Sequence, residues 1–564
     1  MNDYSENLLV HFRRVESLKN EAINYVSVDL NKRQLCDLEL LINRAYYPLK
    51  GYLGHLDYES VLDHMRLQDG TVFPMPVCLD VNDKIAGQIK VNDKVALRDQ
   101  EGFLLAVLTV SDIFKPDKKK EAMKIFGTDD PDNHPGVRQF YHTVKDVYLG
   151  GMIEGIHLPV HYDFKEMRYT PSETHRKFSQ NGWRNVIGFH VEGPLHCREK
   201  EMSLLAAREA GGSIFMQPTV GLKHPGDLDH YTVVRCHQEF SKKYPKNMML
   251  LSLITLQKRG AGPREALWQA VVRRNYGCTH FMVTEDHADP FDHSDINRFY
   301  PLGAARELVE KYEEETGIKM VPLNRMVYSE DKAQYISAAD VKEGMRVKDI
   351  SREELKRRLE YDLEIPEWFS YREVINEMKY ANPPRYKQGF TVFMTGLSGA
   401  GKSTLAKILL VKFLEMRNRP VTLLDGDIVR RNLSSELSFS KEHRDLNIKR
   451  IGFVASEITK NGGIAICAPI APYEESRQYN RAQISKYGGY IEVYLSTSIS
   501  VCEQRDRKGI YAKAKAGKMK GVTGIDDPYI SPTNSEITID TSEVTPEEAA
   551  QEVFLYLEEQ GYIR

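Results

Sequence analysis

The sequence predicts an α/β protein built from several domains. At 564 residues the chain is too long for one hydrophobic core, since single cores stop growing near about 250–300 residues. The first 165 residues mix short β-rich runs with turns, and from residue 166 strands alternate with longer helical runs. Such alternation is typical of a parallel sheet with crossover helices. Near the C-terminus a strand, a glycine-rich loop and a helix follow one another, which indicates a second parallel sheet.

The glycine-rich loop fills the phosphate-binding pattern G-x-x-x-x-G-K-[ST] at every fixed position. Its sequence is Gly396-Leu397-Ser398-Gly399-Ala400-Gly401-Lys402-Ser403-Thr404, between an apolar run at 390–394 and a helix-favouring run at 404–416. Glycines let backbone N–H groups turn toward a triphosphate, and the helix N-terminus adds partial positive charge. We expect this loop to bind ATP, with an exposed Lys402 at the phosphates and Ser403 on Mg²⁺. A chance glycine-rich turn would leave the Lys-Ser pair unexplained.

A second apolar strand, 421–424, ends in Asp425-Gly426-Asp427. Parallel sheets open their ligand crevice at such strand ends. Two carboxylates beside a nucleotide suit Mg²⁺ and an acceptor hydroxyl, so Asp425, Asp427 and Lys402 are the candidate catalytic residues. Cationic residues and one aromatic follow, and they fit a nucleotide-like anionic acceptor better than a solvated helix face. They are Arg430, Phe439, Arg444, Asn447 and Arg450.

The C-terminal part, from about residue 388, resembles adenylylsulfate (APS) kinase in several motifs that occur in the same order. The motifs are Leu424-Asp425-Gly426-Asp427, Phe439-Ser440, Arg444-x-x-Asn447-x-x-Arg450-Ile451-Gly452, Arg505-Asp506-x-Lys508-Gly509-Ile510-Tyr511-Ala512-Lys513-Ala514 and Gly524-Ile525-Asp526-Asp527-Pro528-Tyr529. The resemblance implies a set of APS-binding residues, with the aromatic one stacked on the adenine. They are Arg430, Phe439, Arg444, Asn447 and Lys513.

The same resemblance implies that Arg505 binds ATP and that residues 505–518 form a lid over the nucleotides. The implied reaction is ATP plus APS giving ADP plus 3′-phosphoadenylylsulfate (PAPS). Two positions depart from the family pattern: Glu474 stands where the family has arginine, and Val522 stands where an aromatic residue is common. Two alternatives remain for this domain, namely a kinase for another nucleotide-like acceptor and a regulatory module that only binds PAPS.

The N-terminal part resembles ATP sulfurylase over three successive segments. The motifs are residues 48–54, 66–70, 146–151, 224–231 (beginning His224-Pro225-Gly226-Asp227), 261–266, 275–281, 350–355 and 365–370. The resemblance implies a β-rich PUA-like domain at 1–165, a Rossmann-like nucleotidyltransferase domain at 166–325, and a small tail domain with linker at 326–386. The kinase domain with its phosphate loop and parallel sheet occupies 387–564.

The polar site of the sulfurylase-like domain departs from the family pattern. The family's Gln-Thr-Arg-Asn-Pro-x-His-x-x-His is here His190-Val191-Glu192-Gly193-Pro194-Leu195-His196-Cys197-Arg198-Glu199. The family's Gly-Arg-Asp-His-Ala-Gly is here Thr284-Glu285-Asp286-His287-Ala288-Asp289, and its Met-Arg-Met is Lys258-Arg259-Gly260. Glutamates therefore stand where the resemblance implies two anion-holding arginines.

A carboxylate about 4 Å from an anion costs roughly 4 kcal/mol at an effective dielectric near 20, so each reversal opposes anion binding. Three interpretations follow: a scaffold, an ordinary sulfurylase, or a site rebuilt for other chemistry. A rebuilt site would use the metal-ligand types His190, Glu192, His196, Glu199, Glu285, Asp286 and His287, with a second divalent metal or a cationic substrate group to offset the carboxylates.

The amino-acid composition indicates which binding partners and which compartment to expect. A net charge of −3 gives no signal for binding nucleic acid, so we expect only small nucleotides (ATP, APS and PAPS). Seven dispersed cysteines fit a reducing cytoplasm, and no apolar run is long enough for an export signal or a membrane span. We also expect self-association into a homo-oligomer, which both families commonly show.

Overall fold

The computed structural model describes residues 7–220, 228–291, 298–438, 440–506 and 508–564, without the side chain of Asp427. The chain forms two compact units. The N-terminal unit comprises Met1–Ile350 and Ile365–Glu377, and the C-terminal unit comprises Ser351–Glu364 and Met378–Arg564. Residues 326–386, the predicted tail domain and linker, thus contribute to both. Within the described residues, no helix combines the length and the apolar character that crossing a membrane requires.

The first part of the N-terminal unit is the β-rich domain that the sequence predicts. Its sheet has the order β1-β4-β5-β6-β2, with β3 on β6, and its central pair β5–β6 is antiparallel. The elements are α1 (Phe12–Ala22), β1 (Val26–Asp29), α2 (Lys32–Ile42), β2 (Gly51–Tyr52), α3 (His55–His64), β3 (Leu79–Val81), α4 (Asp83–Ala86), β4 (Lys94–Arg98), β5 (Leu104–Phe114), α5 (Lys118–Phe126), α6 (Pro135–Thr143) and β6 (Val147–Gly155).

The second part of the N-terminal unit is a parallel sheet with crossover helices, again as predicted. The strand order is β11-β10-β7-β8-β9, and every pair is parallel. The carboxyl ends of neighbouring strands therefore meet at one edge of the sheet. The elements are α7 (Pro171–Gln180), β7 (Val186–Val191), α8 (Cys197–Glu209), β8 (Ser213–Pro218), α9 (His230–Ser241), β9 (Met249–Leu251), α10 (Gly262–Asn275), β10 (His280–Val283), α11 (Ala304–Lys311), α12 (Glu313–Thr316) and β11 (Lys319–Pro322).

A small antiparallel sheet follows, with the strand order β13-β12-β14. In the N-terminal unit, Trp368 stacks on Tyr328 of this sheet with ring centroids 5.0 Å apart. Tyr335 donates its hydroxyl hydrogen to the backbone oxygen of Trp368 at 2.8 Å, which ties the segment 365–377 to the sheet. The elements are β12 (Met326–Ser329), β13 (Gln334–Ser337), β14 (Val347–Lys348), α13 (Arg352–Glu360) and α14 (Arg372–Ala381).

The C-terminal unit is a parallel sheet of order β16-β17-β15-β18-β19, covered by helices on both faces. The central strand is apolar throughout because both its faces are buried. Val392 and Met394 pack in one core and Phe393 in the other. The elements are β15 (Phe390–Gly396), α15 (Lys402–Met416), β16 (Val421–Asp425), α16 (Gly426–Leu433), α17 (Lys441–Lys460), β17 (Ile464–Ala468), α18 (Glu474–Ile484), β18 (Gly489–Leu495), α19 (Ile499–Arg505), α20 (Ile510–Lys515), β19 (Ile537–Ile539) and α21 (Pro546–Glu559).

Candidate functional site

The phosphate loop joins β15 to α15, as the sequence predicts. Its glycines have positive φ values that side chains rarely tolerate: +148° at Gly396, +84° at Gly399 and +100° at Gly401. A Cβ on Gly399 would lie 2.9 Å from the backbone oxygen of Cys502. Glycine is therefore needed here for conformation and for close packing. Gly401 is the N-cap of α15, so the N-terminus of that helix lies at the loop.

Lys402 is bound to the loop that precedes it. Its Nζ donates hydrogen bonds to the backbone oxygens of Gly396 at 2.8 Å and Leu397 at 2.7 Å. The side chain is only 7% exposed, so the expectation of an exposed Lys402 is wrong. The two carbonyl oxygens draw the ammonium group back over the loop, and Lys402 thereby contributes to the conformation of the loop itself.

The structure brings Ser403 and Asp425 together, although they lie on different elements. Ser403, in the first turn of α15, donates its hydroxyl hydrogen to Oδ2 of Asp425 at 3.1 Å. Asp425 ends β16, at the carboxyl edge of the sheet. Hydroxyl and carboxylate oxygens are suitable ligands for Mg²⁺, so this pair fits the predicted magnesium site. Asp427 lies in α16, and its side chain is outside the described part.

Arg505, the predicted ATP-binding arginine, ends α19 beside the phosphate loop. Its guanidinium group donates to the hydroxyl of Thr541 at 2.7 Å and to the backbone oxygen of Thr541 at 2.8 Å. The Thr541 hydroxyl in turn donates to the backbone oxygen of Ala400 at 3.1 Å. In the predicted lid, Tyr511 donates to the backbone oxygen of Ser398 at 2.8 Å. Both contacts tie the segment after β18 to the loop.

The predicted acceptor-binding residues lie on α16, α17 and α20. Arg430 donates to two backbone oxygens of the loop that follows α16, both at 3.2 Å. Asn447 is buried in α17, and Lys513 is exposed on α20. Phe439 lies outside the described residues. The contacts of these side chains with an acceptor therefore stay a prediction.

Arg444, the remaining acceptor candidate, is bound by the loop at 521–527. It donates to the carboxylate of Asp527, to the hydroxyl of Thr523 at 2.8 Å and to the backbone oxygen of Gly521. Tyr473 donates to the same Asp527 carboxylate at 2.9 Å. Burial and this hydrogen bond raise the pKa of Tyr473 to about 12. Asp527 is thus a stand-in anion on the arginine that the sequence assigns to the acceptor.

The two departures in the kinase sequence have local partners. Glu474 accepts hydrogen bonds from Arg477 and, at 2.6 Å, from Gln478. Val522 is 5% exposed and belongs to the apolar core of the C-terminal unit. Both residues therefore support the fold around the site.

In the N-terminal unit, charged and imidazole groups meet where β7 and β10 end. We call His190, Glu192, Lys258, Arg273 and His287 the strand-end cluster. Lys258 Nζ lies 2.7 Å from Glu192 Oε2, and Glu192 Oε1 lies 3.3 Å from His190 Nε2. Arg273 Nη2 lies 2.8 Å from His190 Nδ1, and the two imidazole centroids are 5.8 Å apart. The sequence predicted His190, Glu192 and His287; it missed Arg273, which lies on the buried helix α10.

The hydrogen bonds fix the protonation of the cluster. A guanidinium nitrogen can only donate, so His190 Nδ1 accepts from Arg273 and the proton resides on Nε2, which donates to Glu192. Burial lowers the pKa of His190 to about 4 and that of His287 to about 3. Burial also disfavours ionised Glu192, but its bonds to His190 and Lys258 outweigh this and lower its pKa. The cluster therefore contains neutral imidazoles and a Glu192–Lys258 ion pair.

Three other residues predicted for this site have partners of their own. Glu285 Oε1 lies 3.3 Å from Arg306 Nη1. His196 Nδ1 lies 2.7 Å from the hydroxyl of Ser370. Glu199 accepts the backbone N–H of His196 at 2.9 Å and so caps α8.

The two aspartates after β10 belong to a turn. The backbone N–H of Asp289 donates to the backbone oxygen of Asp286 at 3.1 Å. The Asp289 carboxylate accepts backbone N–H groups of Phe291, Phe299 and Tyr300 at 3.0–3.1 Å. These contacts give Asp289 a role in shaping the turn.

The expected second divalent metal draws no support from these contacts. His190 has no nitrogen lone pair left for a metal ion, because one nitrogen accepts from Arg273 and the other carries a proton. In residues 7–220, 228–291 and the rest of the described chain, no group of three His, Cys, Asp or Glu side chains could hold a metal ion. Lys258 supplies the compensating charge instead. The motif His224-Pro225-Gly226-Asp227 lies outside the described residues.

The fold and the phosphate loop define the class of protein: a phosphate-loop kinase unit joined to a second α/β unit. Comparison with protein families agrees with this division. Residues 4–158 match a PUA-like domain, residues 165–380 match ATP-sulfurylase, and residues 388–540 match adenylylsulphate kinase.

Known proteins match along the whole chain. A sulfate adenylyltransferase of Phaeosphaeria nodorum is 44% identical over 98% of this chain and 96% of its own, and one of Aspergillus fumigatus is 43% identical over 97% and 96%. A structure described as a hexameric APS kinase from Thiobacillus denitrificans is 37% identical, with a TM-score of 0.79 over 99% of this chain and 97% of that one. This chain belongs to the sulfate adenylyltransferase family, in the form that carries an adenylylsulfate kinase domain.

Proposed function

We propose that the C-terminal unit transfers the γ-phosphoryl group of ATP to the 3′-hydroxyl of APS, giving ADP and PAPS. The observation that carries this proposal is the Ser403–Asp425 contact at 3.1 Å beside a complete phosphate loop. It supports a magnesium-dependent phosphotransferase, because both oxygens lie next to the expected β- and γ-phosphates. The intact loop also argues against a purely regulatory PAPS-binding module.

Each residue has a defined part in this proposal. Mg²⁺ would be held by Ser403 and Asp425, and when bound it neutralises phosphate charge. The phosphates of ATP would replace the two loop carbonyls as acceptors for Lys402, so that its charge opposes the charge of the leaving group. Asp425 and Asp427 are the candidate bases toward the acceptor hydroxyl. Because Asp425 already contacts Ser403, we propose that Asp427 is the base that accepts the proton of the acceptor hydroxyl.

The acceptor would be recognised by its negative charge. Arg444 donates to the carboxylate of Asp527, and a phosphosulfate group offers the same kind of oxygen. We propose that APS displaces Asp527 from Arg444 and that Arg430 supplies a second cation. The proposed acceptor site also includes three residues that only the sequence assigns to it: Phe439, Asn447 and Lys513. Another nucleotide-like anion is the alternative acceptor.

We propose further that the N-terminal unit does not make APS from ATP and sulfate. The supporting observation is that Glu192 places a carboxylate at the carboxyl edge of the sheet, where the resemblance implies that the family binds anions. Lys258 neutralises this carboxylate by forming an ion pair with it. The names of the relatives favour the opposite candidate, an active bifunctional enzyme. Between a scaffold and a rebuilt site, the pairing of Glu192 with Lys258 favours the scaffold.

The kinase proposal is tested with the full chain, ATP and Mg²⁺. We expect ADP and PAPS to form only when APS is added, and adenosine 5′-monophosphate, which lacks the sulfate group, to be a poor acceptor. ADP formation that is equal with both compounds would contradict recognition of the phosphosulfate. ADP formation with neither would contradict the kinase activity itself.

We also propose that the protein is a homo-oligomer, because the similar structure from Thiobacillus denitrificans is described as a hexameric APS kinase. Light scattering on the purified chain gives the molar mass directly, and a mass of one chain would contradict the proposal. A reducing compartment such as the cytoplasm is supported by the cysteines: all seven lie in the described residues, and all have free thiols.

A further inference from the structure

The structure points to Thr541 as a connection between two parts of the nucleotide site. Thr541 comes two residues after β19, an edge strand of the parallel sheet, and therefore lies at the same carboxyl edge as the phosphate loop. Its backbone oxygen and its hydroxyl both accept hydrogen bonds from the Arg505 guanidinium group, at 2.8 and 2.7 Å. Two nitrogens of the Arg505 guanidinium group are thus bonded to the same residue.

The hydroxyl of Thr541 has a complete set of partners. It donates its one hydrogen to the backbone oxygen of Ala400, at 3.1 Å, inside the phosphate loop. One lone pair accepts from Arg505. Thr497 lies 2.8 Å away, and its oxygen already accepts the backbone N–H of Thr541 at 3.2 Å. The Thr497 hydroxyl hydrogen is therefore available for the second lone pair of Thr541, so every hydrogen-bonding position of the Thr541 hydroxyl is used.

The methyl group of Thr541 is directed toward the space beside Gly401 of the loop. A Cβ built on Gly401 would lie 3.5 Å from Cγ2 of Thr541, which is ordinary van der Waals contact. Gly401 is the residue whose φ of +100° starts α15. Thr541 therefore bonds to Ala400 of the loop, leaves no room to spare beside Gly401, and bonds to Arg505 as well.

We infer that Thr541 is a positioning residue for nucleotide binding: it fixes Arg505 relative to the phosphate loop. The inference rests on the proposed kinase function and adds a residue to the site. Thr541 acts by holding Arg505, with Ala400 as its anchor on the phosphate loop, and it has no chemical role. Removing its hydroxyl should weaken ADP and ATP binding while the chemical step changes less.

The test uses the full chain and measures ADP affinity by calorimetry together with kinase kinetics. We expect Thr541→Val to raise the ADP Kd and the ATP KM by about tenfold, because buried donors and acceptors lose their partner. Thr541→Ser keeps the hydroxyl and should stay within about twofold of the parent protein. kcat with saturating ATP should fall by less than the KM rises, a split that general destabilisation would not produce.

Thr497→Val is the matched control, because within the described residues the buried Thr497 hydroxyl bonds to Thr541 but not to Arg505 or to the phosphate loop. Equal losses of ADP affinity in the two valine variants would overturn the inference. If Thr541→Val does not fold, Thr541→Ala replaces it in the affinity comparison, and the double variant below tests the route through Arg505.

A double-variant cycle tests the route through Arg505. If Thr541 acts by holding Arg505, then Arg505→Ala combined with Thr541→Ala should lose no more ADP affinity than Arg505→Ala alone. Losses that multiply would overturn the inference. ADP binding does not involve the acceptor, so the result stays separate from the acceptor's identity, and a parent protein that binds no ADP would contradict the kinase proposal instead.

Discussion

Lys258 and Glu192 form an ion pair, with Nζ and Oε2 2.7 Å apart, at the carboxyl edge of the N-terminal parallel sheet. Their side chains are 31% and 36% exposed. The pair explains how the chain tolerates a glutamate at this edge: a cation from the strand-end cluster compensates it, and no metal ion is needed. It also means that Lys258 is not free to attract an anionic substrate.

Breaking this pair should destabilise the N-terminal unit. Lys258→Met leaves Glu192 bonded to His190 alone, and we expect a loss of about 1 kcal/mol, since the pair is neither fully exposed nor fully buried. The double variant with Glu192→Gln should recover the loss. The three tryptophans, Trp183, Trp268 and Trp368, all lie in the N-terminal unit, so tryptophan fluorescence in urea reports its unfolding.

Lys242→Met is the control for that measurement, because Lys242 is 65% exposed and forms an ion pair with Glu239 at 2.6 Å. It should leave the urea midpoint unchanged. Equal shifts of the urea midpoint in the Lys242 and Lys258 variants would show that the Lys258–Glu192 pair stabilises the unit no more than an exposed ion pair does.

Lys402→Ala should abolish phosphoryl transfer and also lower the melting temperature. The first effect follows from loss of the cation at the phosphates. The second follows because Lys402 bonds two loop carbonyls and is 7% exposed. PAPS formation and calorimetric melting measure the two effects. Lys407→Ala, an exposed position on the same helix, should change neither. Near-normal turnover of the Lys402 variant would contradict the phosphate-loop assignment.

Arg444→Ala should lower kcat/KM for APS by about 10–100-fold, since one charge-assisted contact is worth about 1.5–3 kcal/mol. ATP affinity should change little. Asp527→Asn is the informative partner variant, because it keeps Arg444 and weakens its hold on the 521–527 loop. We expect the KM for APS to fall in that variant. An equal rise of the APS KM in both variants would mean that the Arg444–Asp527 pair matters for the loop and that Arg444 does not hold the acceptor.

The stability of the N-terminal unit should fall on acidification between about pH 6.5 and pH 4. The pKa of folded His190 is lowered to about 4, whereas an unfolded histidine titrates near 6.5. In that window the unfolded chain binds more protons, so acid favours unfolding. His190→Gln should reduce the loss between pH 7 and pH 5 by about 2 kcal/mol, and His287 remains in both proteins. Urea midpoints from tryptophan fluorescence at pH 7 and pH 5 measure the difference; parallel losses in the two proteins would contradict the role of His190.

The phosphate loop was predictable because its glycines, lysine and serine occupy fixed spacings whose conformations the structure reproduces. The strand at His280–Val283 was predictable for a similar reason, as a buried apolar run before polar residues. Contacts between distant segments were not. Lys258 meets Glu192 across 66 residues of sequence, and Arg273 reaches His190 across 83. Local sequence patterns do not predict contacts between residues so far apart in the chain.

Burial of polar side chains was the other failure of sequence reasoning. Lys402 fits an exposed phosphate ligand by type, yet nearby carbonyl oxygens bury it. Glu199 fits a metal ligand by type, yet it caps a helix. For Thr541 a signal did exist: the alternating segment Ile537-Thr538-Ile539 followed by Asp540 has the form of a strand that ends in polar residues.

The central claim, that this chain consumes APS but does not make it, is tested most directly by pyrophosphate release. The full chain is incubated with ATP, Mg²⁺ and millimolar sulfate, and the same preparation is assayed for PAPS formation from added APS. The account predicts sulfate-dependent pyrophosphate release at background beside clear PAPS formation. Robust sulfate-dependent release by the unmodified protein would contradict it.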